Sequence, residues 1–254
     1  MDDDAVARLL DESAEAIGRA LREDLAAGLA DPREPGVRQG QFRIDLVVEA
    51  AALSVFERAG LSVLSEEAGF IDRGGELIVV MDPLDGSTNA SRGIPWYATS
   101  LCVLDDRGPR VSLIVNLATG RRYRARRGQG ATCDGRVIEP SAQAELSRAM
   151  LVLNGFDPAF TTWLQYRSLG ATALDLCSVA DGTVDASIDF SGALGPWDYL
   201  GAWLVLREAG AVVEDRHGRD LLEIGHHVRR QPLSASNADL LGQIRAALAD
   251  LPSH

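Results

Sequence analysis

Residues 76–89 read ELIVVMDPLDGSTN, and the surrounding fold is organised by this stretch. The aliphatic run from Leu77 to Met81 predicts a buried strand, which Pro83 and Gly86 stop in a turn. Asp82 and Asp85 can point to the same side of that turn. The carbonyl of Leu84, between them, offers a further oxygen. Gly86, Ser87 and Thr88 then open a short helix or a nest of backbone N–H groups, a start that binds phosphate. A buried strand holds such a turn rigidly, as a precise site requires.

Upstream, residues 2–29 predict a long helix. Val6, Leu9, Leu10, Ile17, Leu21 and Leu25 form its apolar stripe, and Asp2 to Asp4 favour its N-terminus. DPREPG (31–36) breaks the chain. A second helix is expected over about 45–59, with Leu46, Val47, Ala50, Leu53 and Phe56 inward and Gly60 ending it; LSVLSEE follows as a short strand. Downstream, YATSLCVLDD, RVSLIVNL and RRYRARR alternate as strands joined by DDRG and ATG turns. Residues 1–140 therefore predict helices on one side of an antiparallel sheet. Residues 141–254 alternate strand and helix, an α/β half (AMLVLNG, ATALDLCSVADG, VDASIDF, PWDYLGAWLVLREAG, AVVED, PLSAS, ADLLGQIRAALAD). No flexible linker separates the halves, which predicts tight packing between them.

The chain has 254 residues, 46% hydrophobic and 24% charged, enough for a sizeable core. With 37 acidic and 25 basic residues, the formal net charge is -12. Such a surface repels nucleic acid and anionic membrane. A small phosphate ester stays possible because a bound cation reverses the local sign. Cys102, Cys133 and Cys177 are too few and too scattered for a disulfide framework; two buried thiols and one partly exposed thiol are expected. No signal peptide and no membrane span are expected, so the expected location is cytoplasmic.

Three acidic groups stand at the ends of predicted elements: Glu66 and Glu67 after LSVLS, Asp82 and Asp85 after the strand, and Asp198 in the first turn of a helix. Each has a plainer reading, as solvated loop, as a good turn sequence or as an acid meeting a helix dipole. Together they suit a hard cation, since Mg²⁺ takes a few carboxylates, waters and substrate phosphate oxygens. Two cations beside a phosphate cradle form a layout for phosphoester hydrolysis, one lowering the pKa of a water and the other stabilising the leaving oxygen.

These residues resemble the inositol monophosphatase family, within the larger group that includes fructose-1,6-bisphosphatases. SEEAG is similar to its Glu-Glu element, DPLDGSTN to its first signature and GPWDYLGAWLVLREAGA to its second; GRRYRARRGQGATCDGRVI and RSLGATALDLCSVADGTVDASID resemble segments between them. The resemblance spans about residues 40–240. It implies an α/β (α+β) fold, a layered αβαβα sandwich with the site between two halves, and commonly a homodimer. It implies Glu66, Asp82 and the Leu84 carbonyl on one Mg²⁺, and Asp82, Asp85 and Asp198 on a second. Glu67 would orient ligands or waters. Gly86, Ser87 and Thr88 would bind phosphate, with the Ser87 hydroxyl near the attacking water.

The chain departs from the family pattern in the DLVT-type element, which reads DLVVEAA. Asp45 matches its first aspartate, and the second, which helps hold a third cation and pairs with the signature hydroxyl, falls on Ala51. Glu49 is two residues away, roughly 200° around a helix. The preceding loop has Gly40 near an expected basic position, with Arg38 and Arg43 as neighbours. Ser191 stands where the family has a substrate-binding acid, with Asp189 as a substitute or a strand-end residue, and Arg167 lines the pocket or pairs at the surface.

The expected activity is Mg²⁺-dependent hydrolysis of a small phosphorylated polyol or sugar, resembling an inositol monophosphate. The alternatives are fructose 1,6-bisphosphate or nucleotide 3′-phosphates as substrate, or an impaired or non-catalytic binding protein. His226 and His227 lack the partners of a transition-metal site. The arginines at 121, 122, 124, 126 and 127 read as a solvated strand edge.

Overall fold

The computed structural model describes residues 1–27, 36 and 42–251. Most of the DPREPG break, together with Arg38 and Gly40, lies outside the described residues. Helix α1 (Asp3–Ala27) buries Val6, Leu10, Ala14, Ile17 and Leu21 on one stripe, while Leu25 is exposed. Helix α2 (Arg43–Arg58) packs beside it with Phe56 and, in part, Leu53 inward as expected, but with Leu46, Val47 and Ala50 turned from the core. Ile44, Val48, Ala52, Val55 and Phe56 are its inward apolar residues, and Ala50 is exposed. Asp45 and Glu49 share the buried face.

The first sheet has eight strands in the order β2-β1-β3-β4-β5-β6-β7-β8. They are β1 (Ser62–Ser65), β2 (Gly69–Ile71), β3 (Ile78–Asp85), β4 (Ala98–Asp105), β5 (Gly108–Asn116), β6 (Arg122–Arg126), β7 (Ala131–Cys133) and β8 (Arg136–Val137). Short helix α3 (Ser87–Arg92) follows β3. The second sheet runs β10-β9-β11-β13-β12, from β9 (Met150–Asn154), β10 (Gln165–Arg167), β11 (Ala186–Asp189), β12 (Val212–Asp215) and β13 (Pro232–Ala235). Helices α4 (Thr172–Ala180) and α5 (Pro196–Ala209) lie between the sheets, and α6 (Ala238–Ala249) covers the far face of the second. The layers are therefore αβαβα.

Two expectations about the first half need correction. Its sheet is covered on both faces, by α1 and α2 on one side and by α4 and α5 on the other. It is also mixed, because β1 pairs with β3 in parallel. Double cover explains the apolar run of β3. Val79 and Met81 join the core under α1 and α2, whereas Val80 joins the core under α5. Side chains alternate along a strand, so Asp82 falls on the α5 face with Val80.

The arginines of residues 121–127 are also not at an edge, since β6 pairs on both sides. Arg122 and Arg124 bind Asp11, Arg126 binds Asp4, Arg127 binds Asp105 and Arg121 binds Asp181. The acidic start of α1 thus neutralises much of that strand. All three cysteines are buried, including the one expected to be partly exposed. No helix among the described residues is long and apolar enough to cross a membrane.

Helix α5 approaches the first sheet through Gly201. A Cβ there would lie 2.9 Å from Ser100 Oγ and 3.6 Å from the Leu101 carbonyl oxygen. Asp198 stands one turn earlier, so this close approach brings its carboxylate to the end of β3. Gly201→Val is expected to cost about 1–3 kcal/mol by overpacking. Thermal unfolding reads this; an unchanged midpoint would contradict so close a contact.

Candidate active site

Glu66, Asp82 and Asp198 come from three separate parts of the chain, and each offers a carboxylate oxygen within 4.8 Å of the others. Glu66 follows β1, Asp82 lies near the end of β3, and Asp198 sits in the first turn of α5. Strand β3 shifts register against β4 between Asp82 and Asp85, which takes Pro83 and Leu84 out of the ladder with β4. The Leu84 N–H turns back to donate to Asp82 Oδ1 at 2.9 Å. The α5 turn is fixed by Pro196 at its start and by the Gly195 N–H donating to Asp198 Oδ2 at 2.6 Å.

Asp85 is not in that closest group. Its two oxygens accept from the N–H groups of Thr172 (3.1 Å) and Ala173 (2.7 Å), the start of α4. It still acts on the group by charge. Burial holds Asp82 well above the ordinary carboxylate range, and Glu66, Asp85 and Asp198 push it further. Burial, with Glu66 and Asp85, does the same to Asp198. Burial lifts Asp85 to about 7 against the opposing N–H groups of Ala173 and Thr172.

Among the described residues, Asp82, Asp85 and Asp198 make no ion pair with an arginine. Clustered oxygens of hard character, short of positive charge, are a donor set that fits Mg²⁺.

Asp45 corrects the reading that left Ala51 in an essential place. Asp45 is buried, its Oδ2 accepts from the Phe42 N–H at 2.7 Å, and its buried Oδ1 has no hydrogen-bond partner. Burial lifts it to about 6, Glu67 and Glu49 add to the rise, and the nearby Ser87 hydroxyl opposes it. Asp45 is thus the acid that faces both the signature hydroxyl and Glu67. Ala51 lies six residues on, about 240° around the helix, where its carbonyl accepts from Ser54 Oγ.

Gly86, Ser87 and Thr88 form the entry to α3. Gly86 has φ 83°, and a Cβ there would meet the Gly170 and Trp96 carbonyl oxygens at 3.0 and 3.1 Å. Two residues that the sequence reading passed over hold this entry. Asn89 Nδ2 donates to the carbonyls of Trp96 (2.7 Å) and Leu169 (2.8 Å). The buried Asp175 accepts from Trp96 Nε1 at 2.7 Å. An Asn closing DPLDGSTN and a buried acid inside an apolar helix were the available signals.

The three candidate substrate residues behave differently. Asp189 is buried and accepts from Asn154 Nδ2 (2.8 Å), Ser191 Oγ (2.7 Å) and the Gly192 N–H (3.0 Å). Its carboxylate therefore organises the loop, with Ser191 as part of the latch. Arg167 is exposed and donates to the Tyr166 carbonyl and to Gln165 Oε1, so it reads as surface.

Asp45 and Asp85 bind protons more tightly in the folded chain than in the unfolded one. Their contribution to the stability of the metal-free protein is therefore fully present below the ordinary carboxylate pKa of about 4 and lost as pH rises through about 6 and 7, so between about pH 5 and 8, above the titration of the lowered carboxylates Asp105 and Asp215, the metal-free midpoint should fall. Mg²⁺ competes with those protons, so its stabilising shift should be larger at high pH than at low pH. Unfolding midpoints with chelator and with Mg²⁺ across this range test both. A metal-free midpoint that climbs with pH would contradict the account.

The profile of the Inositol monophosphatase family matches residues 7–249. The chain is 33% identical over 218 residues to a fructose-1,6-bisphosphatase/inositol-1-monophosphatase of Thermococcus kodakarensis, covering 82% of this chain and 83% of that one. It is 31% identical to a fructose-1,6-bisphosphatase of Pyrococcus furiosus, covering 81% and 82%. Among solved structures, a Pyrococcus horikoshii protein described as having similarities for inositol-1 monophosphatase superposes with TM-score 0.83 at 30% identity, covering 92% of this chain and 96% of that one. An inositol monophosphatase from Anabaena superposes with TM-score 0.78 at 26% identity, covering 98% and 97%. The family profile over nearly the whole chain and these relatives agree with the acidic geometry: the chain belongs to the inositol monophosphatase family, whose members are hydrolases of phosphoric monoesters.

Proposed function

We propose that this phosphatase hydrolyses the phosphomonoester of a small phosphorylated polyol or sugar, with Mg²⁺ as its cation. The observation that carries the reading is the convergence of Glu66, Asp82 and Asp198 within 4.8 Å, with no ion pair to arginine at Asp82 or Asp198 among the described residues. Glu66, Asp82, Asp85, Asp198 and the Leu84 carbonyl would hold two ions, and Asp45 adds an oxygen for a third. Bound Mg²⁺ supplies Lewis-acid stabilisation of the phosphoryl oxygens and lowers the pKa of water.

The chain's own residues do the remaining work. Ser87 Oγ turns its proton towards Asp45 and is left to accept a hydrogen bond from the attacking water. Asp45 Oδ1, buried and without another partner, draws that proton. Glu67 lies beside this pair and orients it. Gly86, Ser87 and Thr88 receive the phosphate at the start of α3. The non-catalytic alternative rested on Ala51, and Asp45 beside Ser87 speaks against it.

The names of several relatives favour a sugar or polyol phosphate, while two others are named bifunctional NADP phosphatase/NAD kinase. With Ser191 latched to Asp189, hydroxyl recognition by an acid at that position is weakened. A homodimer in the cytoplasm completes the reading. Exposed Phe156, Leu164 and Tyr166 around edge strand β10 support self-association, which light scattering would read as twice the 27.2 kDa of one chain.

Phosphate release from inositol 1-phosphate, fructose 1,6-bisphosphate and adenosine 3′,5′-bisphosphate, with and without Mg²⁺, tests the reading. Mg²⁺-dependent turnover of one of the first two is expected; no turnover of any would overturn it. Asp82→Asn should lower the rate about a thousandfold. Asp45→Asn should lower it about a hundredfold, whereas Ala51→Asp should bring no gain. A large gain from Ala51→Asp would restore the rejected assignment.

A further inference from the structure

Of the three close carboxylates, Asp82 is fixed in a buried strand and Asp198 in a helix. Glu66 differs. It sits in the turn between β1 and β2, next to Glu67 and the exposed Ala68. The Ser65–Gly69 pair of β1 and β2 closes its turn, but Glu66 itself belongs to neither strand. What holds the turn therefore decides how well the three carboxylates converge.

Among the groups that hold it are two side chains from different parts of the chain. Glu49, buried on α2, accepts from the Ala68 N–H at 2.9 Å and from the Ser65 hydroxyl. His226 comes from the connector between β12 and β13, in the second half. Its Nε2 lies 2.9 Å from the carbonyl oxygen of Glu66 itself. A carbonyl only accepts, so Nε2 carries the hydrogen. The imidazole also packs on the ring of Trp197, with centroids 5.2 Å apart and planes at 32°. Trp197 immediately precedes Asp198, and Arg229 lies over the same indole at 5.1 Å. On the other side, a Cβ on Gly69 would stand 3.8 Å from His226 Cδ2, so the ring also lies against the start of β2.

One imidazole thus touches the backbone of one carboxylate residue and the neighbour of another, while donating no atom to the acidic group. We propose that His226 is a positioning residue for divalent-cation binding, which sets the reach of Glu66 relative to Asp198. This rests on reading the acidic group as the cation site. The connector in the second half thereby tunes an ion held largely by the first. Removing the contact loosens the Glu66 turn on its His226 side, with Glu49 still holding the other, and alters no ligand, so the loss falls on cation affinity rather than on substrate recognition. Partners behind metal ligands commonly change affinity by about 10–100-fold.

The experiment measures Mg²⁺ binding to metal-free protein by calorimetry, without substrate, for the wild type, His226→Ala and His226→Gln. Unfolding midpoints are recorded in chelator. The wild type should bind Mg²⁺. His226→Ala should bind about tenfold more weakly with its chelated midpoint unchanged. His226→Gln, which presents an amide N–H at similar reach, should recover most of the loss. In turnover assays the His226→Ala defect should disappear as Mg²⁺ is raised, with KM for substrate unmoved. Wild-type affinity in His226→Ala overturns the proposal, and so does a His226→Gln variant as weak as His226→Ala. If His226→Ala fails to fold, His226→Gln decides: near-wild-type binding supports the proposal and binding weakened tenfold overturns it. A wild-type chain that binds no Mg²⁺ overturns the cation site itself, and this inference with it.

Discussion

Mutual repulsion among buried carboxylates is the constraint around which this fold is arranged. Asp82 and Asp85 close one strand, Asp198 opens a helix from a distant part of the chain, and Glu66 reaches in from a turn. Burial and like charge hold the protons on Asp82 and Asp198 far more tightly than water would. Such a group persists because apolar packing fixes the elements that carry it. Val79 and Met81 anchor β3 under α1 and α2, and Val80 anchors it under α5. A divalent cation relieves the repulsion, so the strain in the metal-free chain and the affinity for metal have one origin.

The layering converts this local tension into a site. Helix α5 belongs by sequence to the second half, yet it packs on the first sheet through Gly201 and brings Asp198 to β3. Helix α4 points its first N–H groups at Asp85. Helix α2 supplies Asp45 beside Ser87 and Glu49 behind the Glu66 turn. Every layer from the first helices to the central pair thus contributes a group that holds or orients an acid. The second sheet contributes through its connector, where His226 reaches the Glu66 carbonyl.

Much of this was legible in the chain. A buried strand ending in DPLDGSTN, a Glu pair after a second strand and an aspartate opening a distant helix announce their positions by punctuation alone. Helix α2 was not legible in the same way. RIDLVVEAAALSVFER is apolar on nearly every side, so two stripes compete and periodicity does not choose between them. The stripe through Leu46, Val47 and Ala50 hides the pair Asp45 and Glu49, which lie four residues apart on one face. Two acids at that spacing in an otherwise apolar helix were the available signal, since burying either charge needs a partner. The latch of Asp189 with Ser191 and the reach of His226 depend on loop geometry, which side-chain patterning does not encode.

The central claim is that these carboxylates gather to hold a divalent ion. Anomalous diffraction from crystals soaked in Mn²⁺, a stand-in for Mg²⁺ with a usable scattering edge, tests it most directly. The account predicts a peak enclosed by Glu66, Asp82, Asp198 and the Leu84 carbonyl. A map with no peak there, and the three side chains turned apart or bound by arginines, would contradict it.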